Sequence, residues 1–294
     1  MTDTFRRVPC LVVSGFLGAG KTTLVRHLLA EASRAGEKVA VVSNEFGKLG
    51  VDAQLFAAAD QAYVELEGGC VCCKLADDLV ETLQMLYERV DPDRVIVETS
   101  GIALPYDTLI NFWREPVSDW ARDEISVVVV DAEQVRDGRD LDAPFPEQVG
   151  SADILVVNKT DLVTDSELEK IRTRLSRLEP DAPLVHASFG RVDPAVLFLP
   201  EGGGRGVRSR NRASGHDHYH DRFVAEEMSV AAVSDNDDLC RRLQSLGAIR
   251  VKGFVRGDEG TCLVQGIGAR IEIARTDLRP SEDMIGRLVV IRKV

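Results

Sequence analysis

A three-layer α/β fold with a mostly parallel sheet, followed by a small C-terminal α+β domain, is what this sequence of 294 residues predicts. Three observations carry the prediction. Short, nearly continuous Val/Ile/Leu runs alternate with amphipathic helical patterns, as parallel strands covered on both faces require. A glycine-rich loop joins the first such run to the first helical pattern. The rhythm then breaks at Glu201 and resumes in a shorter, different form at Phe223.

The strands expected in the first part are Cys10–Ser14, Val39–Ser43, Arg94–Glu98, Ile125–Asp131, Ile154–Asn158 and Leu184–His186. Leu75, Leu79, Leu83, Leu86 and Val90 recur at three-to-four spacing and form one apolar helical stripe. Leu168, Ile171, Leu175 and Leu178 form another, opened by Thr164 and Glu167 at capping-box spacing. Such β–α alternation implies right-handed crossovers onto a parallel sheet. Residues 1–200 are read as one domain. Residues 201–222 hold five glycines, five arginines and three histidines with almost nothing apolar, and are read as a flexible linker. Residues 223–294 are read as the second domain, with strands in FVAEEMSVAAV, Ile249–Val255, Thr261–Gln265 and Leu288–Arg292 and a helix over Asp237–Leu246.

Composition excludes several function classes. The chain is 44% hydrophobic, ample for a core, and its 36 basic against 48 acidic residues give a net charge of −12. That balance disfavours non-specific nucleic-acid binding and an electrostatic grip on anionic membranes. No apolar run approaches the roughly 18–20 residues that span a bilayer, and the N-terminus shows no secretory signal. A cytoplasmic protein is expected.

Gly15-Phe16-Leu17-Gly18-Ala19-Gly20-Lys21-Thr22 fits G-x-x-x-x-G-K-[ST] between a strand and a helix carrying Leu24, Val25, Leu28 and Leu29. In that context the motif is a phosphate-binding loop. The backbone N–H groups from Gly15 through Gly18, Ala19 and Gly20 to Thr23 converge on phosphates, helped by the helix N-terminus. Lys21 is expected to reach the β- and γ-phosphates and Thr22 to ligate Mg²⁺. Arg94–Glu98 ends an apolar strand on an acid that can hold the same Mg²⁺, and Gly101 beyond it permits a loop that responds to the γ-phosphate. Lys21, Thr22 and Glu98 are thus the candidate catalytic residues.

Asn158-Lys159-Thr160-Asp161 places N-K-x-D directly after another strand. The Asp161 carboxylate can accept from N1–H and the exocyclic amine of guanine, whereas adenine offers a lone pair at N1. GTP is therefore the expected nucleotide.

Six cysteines do not make a disulfide scaffold here, yet Cys70, Cys72 and Cys73 fall within four residues. Thiolates suit Zn²⁺, Cu⁺ or, in mixed N/S sites, Co²⁺. Cys73 begins a helical pattern whose N-terminus favours thiolate, and three thiolates leave a fourth position for exchange. Glu45, after the second strand, is placed where an acid could take metal in one nucleotide state. His216, His218 and His220 sit in the linker as auxiliary ligands, the alternative being a solvated polar loop. Cys70, Cys72, Cys73, Glu45 and the three histidines are the candidate cargo-metal ligands.

Taken together, GFLGAGKTTL, NEFGKLGVD, GGCVCC, ETSGIALP, NKTD and, past the linker, LGAIRVKGF, LVQGIG and GRLVVIRK resemble the CobW-type metal-chaperone GTPases, relatives of HypB and UreG. The ETSG-x-ALP and GRLVVI forms most resemble the branch serving aerobic cobalamin synthesis. The resemblance covers nearly the whole chain. It implies a P-loop GTPase that binds Co²⁺ at the C-x-C-C motif and supplies a client, such as a cobalt chelatase. Zn²⁺ for a zinc enzyme is the alternative. The assembly state it implies is a monomer or a nucleotide-dependent homodimer. The readings from other classes are a metal-storage module and a P-loop small-molecule kinase with structural cysteines.

Overall fold

The computed structural model describes residues 6–43, 62–65, 72–142, 144–198, 223–230, 235–258, 260–276 and 285–293. They fall into two compact units, one from residues up to Pro180 together with Leu184–Val192, the other from Asp181–Pro183 together with residues from Asp193 onward.

In the first unit, strands β1 (Val8–Ser14), β2 (Val39–Ser43), β3 (Ala62–Glu65), β4 (Arg94–Glu98), β5 (Ala121–Asp131), β6 (Ile154–Asn158) and β7 (Leu184–His186) form one sheet in the order β3-β2-β4-β1-β5-β6-β7. Every pairing is parallel. All seven residues of β1 are buried, as are all of β2 and β6, which is why these strands read as unbroken apolar runs. The helices are α1 (Lys21–Ala35), α2 (Cys72–Val90), α3 (Pro105–Leu109), α4 (Ala132–Asp137), α5 (Phe145–Gly150) and α6 (Asp165–Leu178). The apolar stripe of α2, through Leu79, Leu83 and Leu86, packs on Val12, Val42, Val95 and Val97 of the sheet, with Phe112 and Trp120 closing the same cluster. Trp120 stacks on Tyr87 at 4.6 Å and donates its indole N–H to Gln84 Oε1 at 2.8 Å. Thr164 and Glu167 form the expected reciprocal cap of α6.

The second unit holds helices α7 (Pro194–Leu197) and α8 (Asn236–Ser245) and five strands: β8 (Phe223–Ser229), β9 (Arg250–Gly257), β10 (Gly260–Ile267), β11 (Arg270–Arg275) and β12 (Arg287–Lys293). The strands form an antiparallel sheet in the order β11-β10-β9-β12-β8. Leu239 and Leu243 of α8 pack with Val251, Val255, Val264, Leu288 and Val290, one face of that sheet. Among the described residues no helix is long and apolar enough to cross a membrane.

Several elements differ from the sequence expectation: the short helices α3, α4, α5 and α7 are absent from it, β1 begins at Val8 rather than Cys10, and the strand read in FVAEEMSVAAV ends at Ser229. β3 and β11 are absent from that expectation too, and each is an edge strand pairing with a single neighbour. The β5 strand starts at Ala121 rather than Ile125, because Ala121 and Arg122 pair with Val8 and Pro9 before a register shift. The polar Arg122–Glu124 stretch hides that extension from any apolar pattern.

Candidate functional site

The carboxyl ends of parallel strands, where sheet order reverses, are where an open α/β sheet leaves a crevice. Here β1 has β4 on one side and β5 on the other, and the loop Gly15–Gly20 leaves the end of β1 to start α1. Gly15 has φ +133°, and a Cβ on it would lie 2.1 Å from the Val129 carbonyl oxygen. Gly20 has φ +105°, and its Cβ would lie 2.2 Å from Asn158 Nδ2. Only glycine meets both demands, so the loop is seated directly against the ends of β5 and β6.

Lys21 is 3% exposed, and its Nζ donates to the Phe16 carbonyl at 3.4 Å across the loop. Thr22 Oγ1 donates to Glu98 Oε1 at 2.6 Å. The Glu98 carboxylate is 2% exposed at the end of β4, in register with Val13. A hydroxyl and a buried carboxylate side by side are hard oxygen donors of the kind a divalent cation takes. The residues present therefore fit Mg²⁺, which, when bound, would supply charge neutralisation to phosphates.

The loop beyond Glu98 is fastened to this centre. Thr99 donates its backbone N–H to the Val13 carbonyl at 2.9 Å, and Ser14 Oγ donates to the Ala103 carbonyl at 3.3 Å. A Cβ on Gly101 would fall 2.6 Å from the Leu17 side chain. Gln148, a residue outside every motif, donates Nε2 to the carbonyls of Gly101 and Ala103.

The second half of the site lies at the end of β6. Asn158 donates Nδ2 to the Ala19 carbonyl at 2.9 Å and accepts the Gly190 N–H at Oδ1, also at 2.9 Å. Its amide thus joins the phosphate loop to the loop after β7. Lys159 takes a left-handed φ of +61° and sends Nζ to Asp131 Oδ2 at 2.7 Å. Thr160 is held by the Ala187 carbonyl through its N–H at 3.1 Å and its Oγ1 at 3.0 Å, and Arg136 donates to the Leu162 carbonyl. Between these anchors Asp161 stays exposed, its carboxylate open to a ligand.

The structure therefore brings Lys21, Thr22, Glu98 and Gly101 together at one end of the sheet, with Asn158, Lys159 and Asp161 at the same carboxyl edge two strands away. Sequence reasoning missed Asp131 and Gln148. Asp131 also accepts the N–H groups of Glu133 and Gln134, an N-cap signature that D-A-E-Q at a strand end displays. Gln148 offers no such local signal. Glu45, Cys70, His216, His218 and His220 lie outside the described residues. Cys72 and Cys73 form the first turn of α2, their side chains likewise outside the description. Among the described residues no group of three or more His, Cys, Asp or Glu is placed to hold a metal ion.

A phosphate loop leading into a hydroxyl paired with a buried carboxylate, with a pinned N-K-x-D loop on the same edge, defines a P-loop GTPase. The chain belongs to the CobW/HypB/UreG family, whose nucleotide-binding domain model matches residues 9–186. It is 35% identical to the zinc chaperone CobW of Sinorhizobium sp, over 90% of this chain and 87% of that one. It is 34% identical to the zinc chaperone YjiA of Escherichia coli, over 87% and 85%. The solved structure of Zn(II)-bound YjiA GTPase from that organism superposes on 98% of this chain and 94% of its own, with a TM-score of 0.53 at 24% identity, and shares its fold.

Proposed function

We propose that this protein is a GTP-gated carrier of Zn²⁺ that delivers the ion to a metalloprotein client. The observation that carries the reading is topological. A crossover helix that follows a parallel strand starts at the sheet's carboxyl edge. Cys72 and Cys73, in the first turn of α2, therefore stand on the edge that also bears Glu98 and the phosphate loop. A helix N-terminus favours thiolate over thiol, which suits a soft cargo ion. Cys70, Cys72 and Cys73 are its ligands in this reading, with Glu45 and the histidines of the 201–222 tether as auxiliaries. The loop from Gly15 to Thr23 and Gly101 cradle the phosphates, Thr22 and Glu98 hold Mg²⁺, and Asn158, Lys159 and Asp161 form the guanine side.

Zinc is preferred over the cobalt that the sequence resemblance implied, because both relatives above carry zinc in their names. A cobalt chelatase thereby recedes as client in favour of a zinc enzyme. The protein works in the cytosol, as a monomer or as a homodimer formed with nucleotide.

The deciding experiment is competitive Zn²⁺ and Co²⁺ affinity of the purified chain with GTP·Mg²⁺ and with GDP. Expected is tighter Zn²⁺ binding with GTP by about ten-fold or more, which is about 1.4 kcal/mol of coupling, and its loss in Cys72→Ser. Equal affinity in both nucleotide states would leave only a storage role for the cysteines.

A further inference from the structure

Gln148 is 1% exposed on α5 and belongs to none of the nucleotide motifs. Its Nε2 donates to the Gly101 carbonyl at 3.2 Å and the Ala103 carbonyl at 2.9 Å, so both amide hydrogens are used on one loop. Its Oε1 is buried with no hydrogen-bond partner. Turning the amide over would set Oε1 against two carbonyl oxygens, so the orientation is fixed by the loop. An orphaned buried acceptor carries a desolvation cost that an apolar side chain of the same length avoids. What distinguishes glutamine from methionine at this position is therefore its pair of bonds to the loop after Glu98.

That loop is the one pressed on the phosphate loop, with Gly101 against Leu17 and Ala103 held by Ser14. The far end of α5 is firmly mounted. Ser126 of β5 donates Oγ to the Ser151 carbonyl at 2.6 Å, and its N–H to Asp153 Oδ2 at 2.8 Å. From there the chain enters β6, which carries Asn158. Gln148 thus ties the phosphate-side loop to the strand that supports the guanine side.

We infer that Gln148 is a positioning residue for GTP hydrolysis, holding the Gly101–Ala103 segment against the phosphate loop in the arrangement the reaction uses. The inference rests on the reading of Glu98 and the phosphate loop as the GTP site. It acts through the loop rather than on the nucleotide, so binding and turnover should separate.

Steady-state hydrolysis and GDP binding by the full chain test it with Gln148→Met and Gln148→Glu. In Gln148→Met we expect kcat to fall about ten-fold, with KM for GTP and Kd for GDP within about two-fold of the parent. In Gln148→Glu the ionised carboxylate faces two carbonyls and kcat falls further. Protonation restores one donor, so its kcat relative to the parent rises as pH is lowered while the Met ratio stays flat. Glu147 on the same helix and Glu98 at the root of the loop are common to the parent and both variants, so the ratio to the parent isolates residue 148. A parent-like kcat in Gln148→Met, or GDP affinity falling in step with kcat, overturns the inference. Should Gln148→Glu fail to fold, the split between kcat and GDP affinity in Gln148→Met decides alone. A Glu98→Gln arm keeps the two readings apart: parent-like hydrolysis there sinks the site itself, whereas an inactive Glu98→Gln beside an unimpaired Gln148→Met sinks only the role of Gln148.

Discussion

Asp131 serves two masters with its two oxygens: Oδ2 receives Lys159 Nζ at 2.7 Å, while Oδ1 caps α4 through the N–H groups of Glu133 and Gln134. The side chains are 11% and 33% exposed, so the pair is only partly screened by water. Lys159 holds a left-handed backbone, which a non-glycine residue adopts at some cost. The Asp131 carboxylate is the partner seen fixing that residue beside Asp161.

Substitution at Asp131 should separate these two duties. Asn caps helices as well as Asp does, so Asp131→Asn is expected to keep the thermal midpoint within about a degree while weakening GDP binding several-fold. Asp131→Ala loses the cap as well, for a further cost of about 1 kcal/mol. That corresponds to roughly 2–4 °C in a unit the size of the first one. Calorimetry and nucleotide titration on both variants check the split. Equal effects on stability and binding in the two variants would contradict it.

Gly18 and Gly20 both have positive φ, yet they differ in surroundings. A Cβ on Gly18 meets nothing within 4 Å, whereas one on Gly20 lands on the Asn158 amide at 2.2 Å. Gly18→Ala should therefore show only backbone strain, about 1 kcal/mol. Gly20→Ala should displace Asn158 and raise the Kd for GDP by about a hundred-fold, roughly 2.7 kcal/mol. Asn158→Ala leaves the Ala19 carbonyl and the Gly190 N–H unpaired. Because both changes break the same tie, the double variant should be far less impaired than the sum of the two. Strict additivity in a double-mutant cycle would show that the Asn158 bridge is not the shared link.

Acid should weaken the start of α6 through Glu167. Accepting the backbone N–H of Thr164, and then its hydroxyl, holds the Glu167 carboxyl below the ordinary glutamate range. A folded-state pKa lower than the unfolded one means the contribution is complete above the unfolded pKa. It is lost as pH falls through that value toward the folded one. The gap in thermal midpoint between the parent and Glu167→Ala should thus be widest near neutrality and close in acid. A gap independent of pH would show that the capping carboxylate is not the stabilising group.

The interior strands β2, β4 and β6 were legible to the residue, because strands buried on both faces have little choice but Val, Ile and Leu. The edge strand Arg270–Arg275 escaped detection. Its outward positions are polar or small, and only Ile271 and Ile273 join the core cluster. The phosphate loop, Thr22 with Glu98, and the N-K-x-D loop were legible because their chemistry is local and their spacing fixed. The bonds of Asp131 and Gln148 were not. The Asp131–Lys159 pair and the bonds of Gln148 to Gly101 and Ala103 join residues far apart in the chain, and arise only once the sheet has brought β5, β6 and the Glu98 loop side by side.

The order of strands in the parallel sheet also bears on how the protein is made. β1 precedes the other described strands in the chain, yet its two neighbours are β4 and β5, whose pairings join Cys10 to Val95 and Leu11 to Ile125. The contacts that seat Gly15 and Gly20 come from Val129 and Asn158, far along the chain, and closing such long loops is the slow part of building a parallel sheet. A nascent chain stopped before Ala121 has the complete G-x-x-x-x-G-K-T sequence and no wall for Gly15 to lean on. Nucleotide capture is therefore a late event on the assembly line, and a bound guanine nucleotide certifies that the sheet has been finished.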